Sequence, residues 1–178
     1  SQREIGAHSQ SFSSALRAAV RQNADVVLVG EMRDHETIAL AIKAAEMGSL
    51  VFGTLHTNSA IKTIDRLIDS FPADEQTQAR ISLSESLTGV VAQLLLPSIG
   101  GGRVAAHEIL LRTSALPNII REGNTGMLAS VIQNGRALGM QTMDGTLETL
   151  LSQRKISAED AYRKAQDKTR FEKFLPQD

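Results

Sequence analysis

The chain has 178 residues, of which 42% are hydrophobic and 22% are charged, as in a soluble globular protein with one ordinary domain or one domain and a small satellite. Its net charge of −1 and its low aromatic content exclude a strongly basic, base-stacking surface for nucleic acid. The absence of Cys excludes disulfides and Cys-ligated zinc, and no stretch approaches the run of about 20 apolar residues that a membrane span needs.

The first elements in chain order are one helix pattern and one strand pattern. The segment "FSSALRAAVRQ" (12–22) places Phe12, Leu16 and Val20 four residues apart, which predicts an amphipathic helix. The short run "DVVLVG" (25–30) is apolar and rich in Val, which predicts a strand that is covered on both faces.

The same order of patterns then repeats. Asp34 is a suitable N-cap for a second helix, and Gly48 is a natural residue just past its end. "LVFGT" (50–54) predicts a second buried strand, and Ser59 can cap a third helix that stops before Pro72. The inner faces of these two helices are expected to carry Ile38, Ala41, Ile42 and Ala45, and Ile61, Ile64, Leu67, Ile68 and Phe71. This alternation predicts a parallel sheet with helices on its faces.

The second half of the chain has a different pattern. Residues 74–96 predict one long helix that ends in the apolar segment "VVAQLLLP". "GGG" at 100–102 predicts the turn of a hairpin before a strand at "RVAAHEILL". From Ser114 onward only short helices are expected, and "SAED" (157–160) resembles a capping box with Asp in place of Glu.

These patterns divide the chain into two parts. We predict an α/β part over residues 1–112 and an α-helical part over residues 113–178. The last dozen residues are charged, include Pro176, and are expected to fray.

The candidate site lies where the first two predicted strands end. Glu31 follows Gly30 at the end of the first strand, and His56 follows the second. Because ligands bind at the carboxyl ends of parallel strands, we expect both side chains to converge on one ligand. A rigidly held carboxylate in such a place suits an enzyme that hydrolyses phosphate, where it holds a water on Mg²⁺ or orients the attacking water. Lys62 and Arg66 lie four residues apart on one helix face, from which Arg66 can reach phosphate.

Simpler interpretations of these residues remain open. Glu31 can pair with Arg33 or cap a helix, and His56 can be a structural histidine. Lys62, Asp65, Arg66 and Asp69 can form a solvated helix face with local ion pairs. The glycine run is more typical of a hairpin turn than of a phosphate cradle, because it does not match G-x-x-x-x-G-K-[ST].

A zinc or iron site is a further alternative. Its candidate ligands are His8, His35, His56 and His107 with Glu31, Asp34 and Glu108. The spacings disfavour it, since no pair shows H-x-x-x-H or H-E-x-x-H.

Five segments together resemble consecutive blocks of the type IV pilus retraction ATPases, within the secretion ATPase superfamily. They are "ALRAAVRQNADVVLVGEMRD", "GSLVFGTLHTNSAIKTIDRLIDSFP", "GGGRVAAHEILL", "ALPNIIREG" and "LGMQTMDGTLETLL". The resemblance extends to about residue 166, and the ordered set is highly specific. It implies an α/β fold: a partial RecA-like P-loop NTPase core that lacks the P-loop strand, followed by an α-helical C-terminal region.

The resemblance also implies roles for the site residues. "VVLVGEMRD" is similar to a Walker B segment, with Glu31 associated with Mg²⁺ through water and with the hydrolytic water. Whether Glu31 is also the base stays open. "GTLHTNSAIKTIDR" is similar to the family's His box, which places His56 and Arg66 near the γ-phosphate or an adjoining subunit. The implied catalytic residues are Glu31, His56 and Arg66, and the implied nucleotide-binding residues are Gly30, Thr54 and Thr57.

The activity implied by the resemblance is that of a hexameric motor. It hydrolyses ATP with Mg²⁺ to drive pilus retraction and twitching motility. The implied partners are other copies of the chain, in a homohexamer, and an inner-membrane pilus platform protein. Neither nucleic acid nor direct membrane insertion is expected, and the implied location is the cytoplasm, peripheral to the bacterial inner membrane at the pilus base.

Some features depart from the family pattern. In "ALPNIIREG", Leu116 and Pro117 stand where the family has Ile-Arg; Pro117 fits a first helical turn, so the expected cost is one surface charge. The chain contains no G-x-x-x-x-G-K-[ST] and begins at a segment that follows the family's acidic "Asp box". We therefore expect the C-terminal portion of such an enzyme, unable by itself to bind ATP tightly, with exposed strand edges and apolar helix faces.

Other identities remain open at this point. One is a second retraction-type paralogue. Type II secretion and pilus-assembly ATPases are disfavoured, because they usually carry a four-Cys insert and this chain has no Cys. A non-catalytic interaction fragment is the alternative from another functional class.

Overall fold

The computed structural model describes residues 1–175 of the chain. The helices are α1 Phe12–Arg21, α2 His35–Glu46, α3 Ala60–Asp69, α4 Gln76–Ser86, α5 Leu116–Glu122, α6 Leu128–Asn134, α7 Met143–Ser152, α8 Ala158–Lys164 and α9 Thr169–Glu172. The strands are β1 Val26–Val29, β2 Leu50–Gly53, β3 Gly89–Pro97 and β4 Arg103–Leu111. Among the described residues, no helix combines the length and the apolar composition that crossing a membrane requires.

The chain folds into two compact units, and neither is continuous in sequence. Unit 1 comprises Ser1–His56, Thr63–Leu87 and Thr113–Thr125. Unit 2 comprises Thr57–Lys62, Thr88–Arg112 and the residues from Gly126 onward. The predicted domain boundary between residues 1–112 and 113–178 stays a prediction.

Unit 1 contains the parallel strand pair that the alternating pattern predicts. β1 pairs with β2 from Val26 opposite Leu50 to Val29 opposite Gly53. One face of this pair packs on α1 and α2, in an apolar cluster centred on Leu16, Val29 and Ala41. The register therefore brings the carboxyl ends of β1 and β2 to the same edge.

The prediction that both strands are covered on both faces is wrong for the described residues. Val26, Leu28, Leu50 and Phe52 are 60%, 72%, 48% and 53% exposed, respectively. Side chains alternate between the two faces of a strand, and both helices lie on the face that carries Val29. The opposite face is therefore apolar and open within residues 1–175.

The predicted caps of α2 and α3 are present. Asp34 accepts a hydrogen bond at 2.8 Å from the Thr37 backbone N–H, and Gly48 adopts φ +101° just past the end of α2. Ser59 accepts from the Lys62 N–H at 3.2 Å. Of the residues that were expected to face inward on these helices, those that are buried are Ile38, Ala41, Ile64, Leu67, Ile68 and Phe71.

The long helix predicted over residues 74–96 is wrong. Helix α4 ends at Ser86, and β3 begins at Gly89 and pairs antiparallel with β4. Along β3 the buried Val90 alternates with the exposed Val91, which is the period of a strand. A hydrophobic run of this length is compatible with helix or strand, and here the hydrogen bonds offered by β4 decide for strand.

The predicted hairpin turn is confirmed between β3 and β4. Gly101 and Gly102 adopt φ +93° and +74°, a conformation that side chains disfavour. Gly89 has a different role, because a Cβ there would lie 2.9 Å from the Leu110 carbonyl oxygen.

The C-terminal helices complete unit 2. The inner face of the hairpin contributes Leu96 and Ala106 to a core that also contains Met143, Leu147, Ile156 and Phe171. The predicted start of α8 is confirmed, since Ser157 Oγ accepts from the Asp160 N–H at 3.0 Å.

The expected fraying of the last dozen residues is wrong for α9. Phe171 is 0% exposed, and the burial of this large apolar ring holds the short helix in place. Residues 176–178, which include Pro176, lie outside the described residues.

Candidate functional site

Glu31 and His56 meet at the carboxyl ends of β1 and β2, as expected. His56 Nε2 lies 2.7 Å from Glu31 Oε1. The Glu31 side chain is 20% exposed and that of His56 is 80% exposed, so the pair lies at the surface with its acid partly sheltered. The parallel register explains the contact, because it aligns the two strand ends from which these side chains project.

Arg33 is the third member of this cluster. Its Nε forms an ion pair with Glu31 through Oε1, the same oxygen that contacts His56. Sequence reasoning weighed the Glu31–Arg33 pair only as an alternative to a functional role. It predicted the convergence of Glu31 with His56 separately, and so it did not place all three residues in one cluster.

Arg33 and His56 both favour the ionised form of Glu31. The Arg33 guanidinium, and after it His56, hold the pKa of the Glu31 carboxyl below its ordinary value by hydrogen bonding, although desolvation opposes them. The Glu31 carboxylate in turn raises the pKa of Arg33. Glu31 is therefore an anion at neutral pH, the form that binds Mg²⁺-held water or accepts a proton.

Backbone contacts join the two strand ends. The Met32 N–H donates to the Thr54 carbonyl oxygen at 3.0 Å, and the Thr54 hydroxyl donates to the Gly30 carbonyl oxygen. A Cβ at Gly53 would collide with the Met32 thioether, so glycine permits this close approach. A Cβ at Gly30 would meet nothing within 4 Å. Glu31 thus projects from a segment held on both sides.

The other predicted site residues are placed differently. Arg66 and Lys62 are exposed on α3, and within residues 1–175 neither forms an ion pair with Glu31 or with the acids of the same helix. Thr57 follows His56 in the chain but belongs to unit 2, whereas His56 belongs to unit 1. The nucleotide-binding roles of Gly30, Thr54 and Thr57, and the catalytic role of Arg66, stay predictions.

The zinc or iron alternative has no support in the described part of the chain, which contains no group of three or more His, Cys, Asp or Glu that can hold a metal ion. The histidines have separate environments. His35 Nε2 lies 3.1 Å from Glu75 Oε2, and His107 Nε2 lies 2.9 Å from Gln93 Oε1.

A single magnesium-associated carboxylate does fit this site. Mg²⁺ is usually bound by one or two carboxylates together with waters and substrate phosphates. The shortest contacts of Arg33 and His56 with the Glu31 carboxylate both fall on Oε1, and Oε2 makes no hydrogen bond to the rest of residues 1–175. One anionic oxygen is therefore available for a metal-bound water.

Glu108 is a buried carboxylate with a structural role that sequence reasoning missed. It is 4% exposed, its Oε1 accepts from the Ala60 N–H at 2.8 Å, and its Oε2 accepts from the Met143 N–H at 3.3 Å. It thereby caps the N-termini of α3 and α7, where unpaired N–H groups need acceptors. The "HE" pair at 107–108 was its only signal, and that pair was considered only for zinc.

Comparison with known proteins yields consistent similarities. A family model described as "Type II/IV secretion system protein" matches residues 5–172. The chain is 56% identical over 164 residues to the type IV pilus retraction ATPase PilT of Pseudomonas aeruginosa, covering 92% of this chain and 48% of that protein. It is 54% identical over 167 residues to a twitching motility protein of Neisseria gonorrhoeae, covering 93% of this chain and 45% of that protein.

A solved structure shows the same fold. The crystal structure of the pilus retraction motor PilT with bound ADP matches with a TM-score of 0.87 and 49% identity, over 97% of this chain and 49% of that one. The chain therefore spans about half the length of the curated relatives it matches.

Proposed function

The chain belongs to the type II/IV secretion system protein family, and on that premise we propose that it is part of an ATPase motor that drives type IV pilus retraction. The observation that carries the proposal is the contact between Glu31 and His56 at the ends of two parallel strands. Relatives with more than half of their residues identical over the matched region are named for pilus retraction and twitching motility, which supports the same activity here.

The proposed reaction is ATP hydrolysis. Glu31 presents an anionic carboxylate that orients the attacking water or a water held by Mg²⁺. Mg²⁺ held through water at Glu31 would neutralise the negative charge that develops on the phosphate oxygens. His56 contacts Glu31 and, with Arg66, supplies hydrogen-bond donors to the γ-phosphate or an adjoining subunit.

The nucleotide contacts proposed for the strand ends follow from their backbone. Gly30 has open space above it, so a ligand can approach the main chain there. The Thr54 hydroxyl donates to the Gly30 carbonyl oxygen, so only its acceptor lone pairs remain for a donor group such as a metal-bound water. Thr57 is proposed as a further polar contact.

The proposed assembly is a homohexamer that works on an inner-membrane pilus platform protein. The proposed location is the cytoplasm, peripheral to the bacterial inner membrane at the base of the pilus. Hydrolysis is converted into subunit motion, which removes pilin subunits from the pilus.

The test is the Glu31→Ala variant of the full-length protein. We expect turnover of ATP to be abolished while the affinity for nucleotide is retained, because Glu31 acts on water and metal rather than on the phosphates alone. A phosphate-release assay measures turnover, and a fluorescent ATP analogue measures affinity. The matched control is Glu46→Ala, an exposed acid on α2 that should leave both unchanged. Lost affinity with preserved turnover would contradict the proposed role.

A further inference from the structure

The Glu31 carboxylate is engaged unevenly at its two oxygens. The shortest contacts of Arg33 Nε and His56 Nε2 both fall on Oε1, while Oε2 makes no hydrogen bond among residues 1–175. An ionised carboxylate has about four lone-pair sites, so nothing in its chemistry requires both donors to share one oxygen. The arrangement holds one oxygen in place and leaves the other with its full capacity to accept hydrogen bonds.

The backbone around Arg33 is restrained on both sides. Before it, the Met32 N–H is bonded to the Thr54 carbonyl at 3.0 Å, and after it, Asp34 is bonded to the Thr37 N–H at 2.8 Å. The backbone of Arg33 therefore has a defined position relative to Glu31. Its side chain is 74% exposed, and Glu31 is its only ion-pair partner within the described residues.

Stability does not account for this ion pair. The Arg33 side chain is 74% exposed, and an ion pair with such an exposed partner contributes little to the free energy of folding, because solvent screens it and both side chains lose conformational freedom. Unit 1 also contains the ion pair of Arg17 with Glu36, whose side chains are 54% and 52% exposed and which shares no residue with the Glu31 cluster. The two pairs resemble each other in chemistry and differ in location, so they can be compared directly.

We propose that Arg33 is a positioning residue that, together with His56, fixes Oε1 of Glu31 so that Oε2 faces the reacting water. This inference rests on the proposed function, since it concerns the same carboxylate. Arginine suits the task because its planar, permanently charged guanidinium lies against the Glu31 carboxylate through Nε, whereas lysine carries only a terminal ammonium on a flexible stem.

The experiment compares Arg33→Gln, Arg33→Lys and the control Arg17→Gln in the full-length protein. For Arg33→Gln we expect kcat to fall about tenfold to a hundredfold, the range in which misplacement of a catalytic group acts. We expect KM and the Kd for Mg-ATP to stay within about twofold of the wild type, because Arg33 acts through Glu31 and not on the nucleotide.

Two further results belong to the expected pattern. Arg33→Lys should restore part of the lost kcat, since it returns the charge without the planar guanidinium. Thermal unfolding should be unchanged in both Arg33 variants, and Arg17→Gln should match the wild type in every measurement.

Three outcomes would overturn the inference. One is a kcat for Arg33→Gln within about twofold of the wild type, as expected of a solvated ion pair. Another is a loss of Mg-ATP affinity that accounts for the whole effect, which would place Arg33 on the ligand. The third is an equal loss in Arg17→Gln, which would indicate a general effect of charge. If the wild type does not hydrolyse ATP, or if it does not need Glu31, the proposed function fails instead.

Discussion

At the scale of the residue, the described chain uses carboxylates in two contrasting ways. Glu31 is partly sheltered at the end of a strand and keeps one oxygen without a protein partner. Glu108 is 4% exposed and has both oxygens bonded, to the backbones of Ala60 and Met143, and Gln166 Nε2 lies 3.4 Å from its Oε2. A carboxylate whose oxygens are all bonded by the protein is suited to holding structure, and one with a free oxygen is suited to chemistry.

Replacing Glu108 should therefore destabilise the protein. Glu108→Ala leaves the N–H groups of Ala60 and Met143 without their acceptor in the interior, and we expect a loss of about 3 kcal/mol in the free energy of unfolding. Glu108→Gln keeps one acceptor oxygen and should lose less. Urea denaturation followed by circular dichroism measures both.

The control for the Glu108→Ala variant is Glu148→Ala. Glu148 is an exposed acid paired with Arg170, and its removal should cost little. A Glu108→Ala protein that unfolds at the same urea concentration as this control would show that the two caps are dispensable.

At the scale of the element, short-range signals decide most helix boundaries. Asp34 caps α2 three residues ahead of its bonded N–H, and Ser157 does the same for α8. These caps are visible in sequence because donor and acceptor are neighbours. β3 is the counterexample, since its partner β4 decides whether the same apolar residues form a helix or a strand.

The Asp34 cap predicts a dependence of stability on pH. Asp34→Ala should lower the free energy of unfolding by about 1 kcal/mol at neutral pH, because the Thr37 N–H loses its acceptor. That hydrogen bond also holds the pKa of the Asp34 carboxyl below its ordinary value. The charged cap therefore stabilises the fold above about pH 4, the ordinary pKa of Asp, and this contribution is lost as the pH falls through the lower pKa of the folded state.

The comparison with Asp34→Asn tests this sign. Asn is as good a cap but cannot ionise, so any advantage of the wild type over Asp34→Asn at pH 7 should shrink when melting temperatures are measured near pH 3. An advantage that grows on acidification would contradict the assigned direction.

At the scale of the whole molecule, one face of the β1–β2 pair is open. Val26, Leu28, Leu50 and Phe52 form an apolar face that is 48% to 72% exposed within the described residues. The chain also spans about half the length of its curated relatives. The sequence led us to expect exposed strand edges and apolar helix faces, whereas the open face found here belongs to a strand pair that was expected to be covered on both sides.

The binding of nucleotide to the 178-residue chain by itself should be weak. Its sequence has no G-x-x-x-x-G-K-[ST], so it lacks the loop of backbone N–H groups and the Lys that hold the β- and γ-phosphates. Titration calorimetry with Mg-ATP should detect no binding, or a Kd far above the micromolar range. A low-micromolar Kd would show that residues 1–178 contain a sufficient phosphate site.

Much of the fold and part of the site could be predicted from sequence. The caps at Asp34 and Ser59, the hairpin glycines and the position of Glu31 at a strand end all depend on neighbouring residues. The convergence of Glu31 with His56 followed from one further rule, that parallel strands end at the same edge of a sheet. The family resemblance came from the ordered motifs.

What only the tertiary structure decided are contacts between residues far apart in sequence. Glu108 caps helices that begin 48 residues before it and 35 residues after it, and no local pattern specifies such partners. β3 is a strand because β4 supplies its hydrogen bonds. Likewise, the sequence by itself determined that a carboxylate stands at the end of β1. Which of its oxygens Arg33 and His56 hold depends on strand register and packing, since long-range geometry sets the direction of each side chain.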